Sequence, residues 1–312
     1  MSAHVQVTHY ADAACPWDYS AEPVRIALEE RYGDQLEWRT VQVGLHESGE
    51  AMARRGYTPA GLARSYGIFQ ERHRMPFCME ERPRLAGTWP AARAVKAAEL
   101  QGNAPGAGLL RRLRLAWFVD ARLPDDRNQL LGLAGEVEGL HVGRFAADLD
   151  GREVEAAFER DMAEARRPDS VAIALEKAAQ PLGEARLRFT TPTYVFSAHG
   201  RSATVPGFQP LEAYEVALHN LAPELERLPA RDAAGFLRER RGEPYATVEV
   251  AKAIGRSERR TVEQLDSLVK SGAVRHTATG ARELWSWGPP AFTLECPALP
   301  RLPTRVERKL AA

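Results

Sequence analysis

Cys15-Pro16-Trp17-Asp18 puts a thiol, a rigid ring, an indole and a carboxylate in four consecutive residues. A thiol at the start of a helix meets unsatisfied N–H groups and the positive end of the dipole. Both favour the thiolate, which is the nucleophile. Pro16 suits a first helical turn, where a missing N–H costs nothing. Asp18 brings a negative charge close to the sulfur, which predicts a thiol less acidic than one paired with a second thiol. With no second cysteine in the motif, Cys15 cannot resolve a mixed disulfide internally, so its chemistry would be monothiol. Cys15 and Asp18 are the candidate catalytic residues, and a buried, inert thiol is the competing reading. Cys78, in Met-Pro-Phe-Cys-Met-Glu, reads as a small buried hydrophobe rather than a distant resolving thiol, and Cys296 as incidental. No His, Cys and Asp cluster has metal-ligand spacing, and His9 and His73 read as core or surface residues. There is no glycine-rich phosphate loop, and Asp125-Asp126 reads as a helix start.

Residues 4–10 alternate with a period of two and predict a strand leading into Cys15. A helical run follows, kinked at Pro23 and ending at Gly33. Residues 36–43 alternate again, completing a βαβ unit. Helices are predicted over 59–73, 90–101, 107–122, 125–138 and 151–166. Leu110, Leu113, Trp117 and Phe118 form one apolar stripe. Residues 188–196 predict a strand, turning at Ala-His-Gly-Arg into a second strand at 202–205, and 209–220 predict a closing helix.

These residues resemble the DsbA-like branch of the thioredoxin superfamily, near the FrnE-type dithiol-disulfide isomerases and the 2-hydroxychromene-2-carboxylate isomerases. The resemblance rests on Asp12-Ala-Ala-Cys-Pro-Trp, Pro23, residues 89–102, Leu115 to Ala121, Thr191-Pro192-Thr193 and Pro206-Gly-Phe-Gln-Pro-Leu, and covers about residues 4–221. It implies an α/β thioredoxin-like fold with an inserted helical domain. It also implies a cis-proline at Pro192, with the Thr191 backbone beside the thiol to receive an extended peptide or glutathione. Pro16, Trp17, Thr191 and Pro192 are therefore the expected substrate-binding residues. Asp18 stands where the dithiol family has its second cysteine. The isomerase relatives carry serine where this chain has Cys15.

Beyond residue 228 the texture changes. Three short helices end at Gly242, Gly255 and Gly272, Ser257 is a candidate N-cap, and two strands flank Thr279-Gly280. Residues 229–287 resemble a winged helix, with Val262, Leu265, Leu268 and Val269 facing inward and Arg259 and Arg260 outward. The segment holds 11 basic and 8 acidic residues, a weak footprint for a DNA reader, so docking to protein is the expected role and nucleic acid the lesser one. The expected domains are 1–228 (insertion about 50–185), 229–287, and a Pro-rich tail over 288–312.

The 312 residues carry 42 Lys+Arg and 42 Asp+Glu, which argues against bulk-charge binding to nucleic acid or anionic membrane. Three cysteines, no spanning apolar run and no signal pattern at the N-terminus lead to a cytoplasmic expectation. Three functions stay open: a monothiol disulfide oxidoreductase or isomerase, a glutathione-dependent transferase or isomerase for a small molecule, and a non-catalytic thioredoxin-fold binding protein. No cofactor is expected beyond glutathione as a co-substrate, and the expected partners are thiol or disulfide substrates.

Overall fold

The computed structural model describes residues 4–180, 186–279 and 282–294. Strand β1 (Val5–Ala11) leads into α1 (Pro16–Ser20), α2 (Glu22–Tyr32) and β2 (Leu36–Gln42). Helices follow: α3 (Gly49–Arg54), α4 (Pro59–His73), α5 (Trp89–Glu99), α6 (Asn103–Phe118), α7 (Arg127–Ala134), α8 (Val142–Asp148), α9 (Arg152–Ala165) and α10 (Ser170–Ala174). The chain returns through β3 (Ala178–Ala179), β4 (Arg188–Phe189), β5 (Thr193–Ala198), β6 (Arg201–Pro206) and α11 (Leu211–Leu221). The C-terminal block is α12 (Ala233–Glu239), β7 (Tyr245–Ala246), α13 (Thr247–Ala253), α14 (Glu258–Lys270), β8 (Val274–Thr279) and β9 (Arg282–Trp287).

The central sheet has the order β2-β1-β5-β6. β1 runs parallel to β2 and antiparallel to β5, so the first 42 residues and the later hairpin share one sheet. Val5 and Val7 project from one face of β1 onto Val24, Ala27 and Leu28 of α2 and Tyr214 and Leu218 of α11. Each such buried aliphatic side chain contributes roughly 1.5–3 kcal/mol. His9 continues that same face. Tyr10 and Val41 belong to a separate apolar cluster with Ala165, Ala172 and Phe189. The β5–β6 hairpin turns on His199 and Gly200, both at positive φ, the conformation that tight two-residue hairpins require.

Several elements depart from the sequence-based expectation. The kinked helix is two helices. Pro23 has no N–H and its ring would clash with the carbonyl four residues back, so α1 stops at Ser20 and Pro23 takes a first-turn slot of α2. The strand expected over 188–196 is divided by the cis Thr191–Pro192 bond, and β4 pairs with β3 instead of joining the central sheet. The α6 stripe serves two clusters: Leu110 and Leu113 pack in one, Trp117 and Phe118 in another. Asp126 caps α7 by accepting from Gln129 N–H, as a helix-start residue should.

In the C-terminal block β9 lies between β7 and β8 in an antiparallel sheet. Ile26 of α2 is buried together with Phe236, Tyr245, Val250 and Trp285 of this block. Arg111 of α6 crosses the junction. It donates to Glu249 and to Pro244 O at 2.8 and 2.6 Å, and its guanidinium lies 4.1 Å from the Tyr245 ring centre. Arg240 pairs with Glu30. Along α14 the inward residues are Thr261 and Leu265, whereas Val269, expected inside, is exposed. Ser257 occupies the N-cap position of α14 without a side-chain capping bond. Residues 280 and 281 at the tip of the β8–β9 turn, and residues 295–312 with most of the Pro-rich tail and Cys296, lie outside the described residues.

Candidate functional site

Cys15 sits at the N-cap of α1 in extended conformation, and its carbonyl accepts the Tyr19 N–H at 3.0 Å. Its thiol is buried and points to the Thr191 carbonyl, 3.5 Å from Sγ, so the β1–α1 junction and the Thr191–Pro192 corner meet as expected. Thr191 and Pro192 are buried, Pro16 is half-buried, and Trp17 faces solvent. The position at a helix start does not make the thiol acidic. Burial, followed by the charge of Asp18, pushes the Cys15 pKa up to about 12.

Asp18 is the centre of a buried ionic network. His9 Nε2 lies 2.8 Å from Asp18 Oδ1, and the Asp12 N–H donates to Oδ2 at 3.0 Å. Arg114 of α6 donates to both Asp18 and Glu22. Burial alone would raise the Asp18 pKa, but the charge of Arg114 and the bond with His9 outweigh it and hold the carboxyl below the usual range. Glu22 is likewise held low: burial opposes its charge and is outweighed by Arg25, Arg114 and Arg111. Through Glu22 Oε2, 3.6 Å from Arg111, the network reaches Glu249 in the C-terminal block. Asp12 fixes the loop before Cys15. Its carboxylate accepts from the N–H groups of Ala14 and Leu45 and from Thr88 Oγ1, each at 2.9 Å.

Above the thiol lies an aromatic mouth. The Trp17 ring meets Phe69 at 4.9 Å and His73 at 5.4 Å between centres, and His73 meets Phe208 at 4.5 Å. His73 Nε2 is buried with no hydrogen-bond partner among the described residues. Trp17 is 41% exposed, and Ile68 nearby on α4 is exposed as well.

Of the residues expected at the site, Cys15, Pro16, Trp17 and Asp18 stand together at the start of α1, and Thr191 and Pro192 meet them at the thiol. His9 and Arg114 belong to the site as well, although nothing in the local sequence pattern assigns them to it. His9 stacks on Tyr194, its cross-strand partner in β5, with ring centres 4.4 Å apart. Arg114 had one signal: it lies four residues after Leu110, on the stripe where α6 should be apolar. Cys78 corrects the free-thiol reading, because it is disulfide-bonded. Among the described residues no cluster of three or more His, Cys, Asp or Glu side chains is placed to hold a metal ion. No described helix is long and apolar enough to cross a membrane.

Comparison with known proteins agrees with this architecture. The chain is 27% identical over 231 residues to the ClpXP adapter protein SpxH of Bacillus subtilis (strain 168), a match covering 70% of this chain and 67% of that one. It is 25% identical over 301 residues to the ClpXP adapter protein SpxH of Shouchella clausii (strain KSM-K16), covering 91% of this chain and 88% of the relative. The solved structure of a Nitrosomonas europaea protein described as a disulfide isomerase superposes with a TM-score of 0.53 at 16% identity, over 70% of this chain and 97% of that one. This last likeness is one of fold. A family model described as Thioredoxin matches residues 9–169, just over half of the 312. With its βαβ start, cysteine at the α1 N-cap, inserted helices and cis-proline corner, the chain belongs to the thioredoxin family.

Proposed function

We propose that this protein is a non-catalytic, protein-binding member of its family, an adapter that uses the thioredoxin cleft to hold a partner protein. The observation that carries the reading is Asp18. It occupies the position of the resolving cysteine, its carboxylate is saturated by His9, Arg114 and the Asp12 N–H, and it adds to the burial that keeps Cys15 protonated. A thiol ionising near pH 12 is a poor nucleophile at neutral pH. The aromatic mouth fits the role. Trp17, Phe69 and Phe208 offer apolar area to a partner. The adapters named SpxH match this chain over up to 91% of its length, well past the thioredoxin-like part, which supports the same class of role and a ClpXP-type protease as recipient. On this reading the C-terminal block, a winged-helix-like unit, serves protein docking. It is braced on α2 by α13 and leaves the Arg259 and Arg260 side of α14 open.

The test compares protein half-lives in cells that have or lack this protein. A small set of proteins should persist in its absence, and Cys15→Ser should restore their turnover fully. If Cys15→Ser fails to restore turnover, or if the purified protein reduces insulin at the rate of a dithiol oxidoreductase, the adapter reading is wrong. A second reading, monothiol exchange through glutathione, draws on the Thr191 carbonyl beside Sγ. It requires a mixed disulfide at Cys15 after incubation with oxidised glutathione.

A further inference from the structure

We propose that the groove where the C-terminal block meets α2 and α11 is a docking site for an acidic segment of a partner protein. Two hollows make up the groove. One, of about 400 Å³, lies between α11, α13 and the start of α14. The other, of about 330 Å³, lies between the end of α2, residues 227–231 and the end of α13. They meet at Arg31, Gly255 and Arg256, which line both. The groove shares no lining residue with the aromatic mouth of Trp17, Phe69, His73 and Phe208.

Charge selects the guest. Lys252 and Arg256 line the groove, and neither side chain has an ion pair or hydrogen bond among the described residues. Arg31 and Arg227 share a single carboxylate, Glu215. Two of the carboxylates on the wall are committed, Glu30 to Arg240 and Arg231, and Glu258 to Arg74. Glu212 is the wall carboxylate without a partner among the described residues. Against it stand Lys252, Arg256 and the uncompensated half of the Arg31 and Arg227 pair, so positive charge is in surplus. An exposed ion pair by itself contributes little, so a segment carrying several carboxylates is favoured over a lone ion. Guanidinium groups add paired hydrogen bonds to such carboxylates. The groove also offers apolar area: Leu228, on its wall, is 45% exposed. Gly255, at positive φ, has open space where a side chain would stand, which lets a guest's backbone approach between the two hollows.

The proposal rests on the protein-binding reading of the chain and names a second surface and a partner chemistry for it. The experiment measures fluorescence anisotropy of a labelled peptide, Glu-Leu-Glu-Glu-Leu-Glu, mixed with the full chain at low salt. The peptide should bind saturably with a Kd of about 0.1 mM or below. Its counterpart with glutamine in place of every glutamate should bind at least about tenfold more weakly, and added salt should weaken the acidic peptide. Lys252→Glu with Arg256→Glu should lower affinity at least about tenfold, and Lys252→Ala with Arg256→Ala several-fold. Lys252 is half-buried and Arg256 exposed, so both double variants should keep the urea midpoint of the wild type. The proposal is overturned by the absence of saturable binding, by equal binding of the glutamine peptide, or by unchanged affinity in the charge-reversed variant. It is also overturned if a duplex DNA of about 20 base pairs binds more tightly than the peptide and loses that binding in the same variant, since the groove would then be a nucleic-acid site. None of these measurements reads protein turnover, so a groove that fails them leaves the half-life experiment to decide the adapter reading separately.

Discussion

Trp17 and Asp18 are adjacent in sequence, yet Trp17 is 41% exposed and Asp18 only 1%. The outer face of α1 carries an indole among other aromatic rings. The inner face carries a carboxylate bound by an arginine, a histidine and a backbone N–H. The outer face is the one that the proposed adapter role would present to a partner. The inner face is a closed ionic network in which each member is buried because the others are. Cys15 lies at the border, near enough to Asp18 to feel its charge and too deep for water to offset it. A thioredoxin-type site needs a thiolate that can be reached. Here the inner face has taken over the position that would have supplied a second thiol.

The largest expected effect concerns the thiol. With a folded pKa about 12 against an ordinary value near 9, iodoacetamide should label Cys15 at pH 8 about 10³-fold more slowly in the folded protein than in urea. The rate should rise about tenfold per pH unit until it levels near pH 12. Mass spectrometry of labelled peptides measures this, and equal rates in the folded and unfolded states would mean that the border position does not silence the sulfur. Linkage adds a check on stability: the unfolded thiol ionises first, so stability should decline from about pH 9 towards pH 12, and Cys15→Ser should remove that decline.

Next in size is the contrast between the faces. Arg114→Leu takes from the buried Asp18 its arginine partner and from Glu22 one of three, and should cost about 3–5 kcal/mol by urea denaturation. Trp17→Ala, on the outer face, should change stability by roughly 1 kcal/mol or less while weakening partner binding. Similar costs for the two would abolish the distinction.

The acid side gives a smaller effect. Asp18 and Glu22 titrate below their ordinary values in the folded state, so they stabilise it above the unfolded carboxylate pKa, roughly 4. That contribution is lost as pH falls through the lower folded values. An Asp18→Asn variant should show a shallower loss below about pH 4, and it should speed Cys15 labelling at pH 8 by removing the second cause of the raised pKa. The smallest effect belongs to the C-terminal block: Arg259→Ala with Arg260→Ala, both exposed, should shift stability by less than about 0.5 kcal/mol. Tight, salt-sensitive DNA binding lost in that double variant would reverse the preference for protein docking.

Much of the scaffold was legible in the residues. Alternation along 4–10 and 36–43, the helix over 59–73 and the Gly255 and Gly272 stops require only local rules, and they emerge where those rules place them. The Asp18 position was legible as a missing thiol. Its charge partners were not, because Arg114 lies 96 residues away and His9 nine residues before it on another element. Local pattern counted Arg114 as an interruption in an apolar stripe. Only the packing of α6 against α1 and α2 makes it the counter-ion that permits two buried carboxylates. The sequence alone determined that this chain has a cysteine at a helix start and no resolving partner in the motif, since both are facts of order and spacing. Whether that cysteine is reactive was decided by tertiary structure, because burial and the charge of Asp18 set its pKa and both depend on contacts between distant segments.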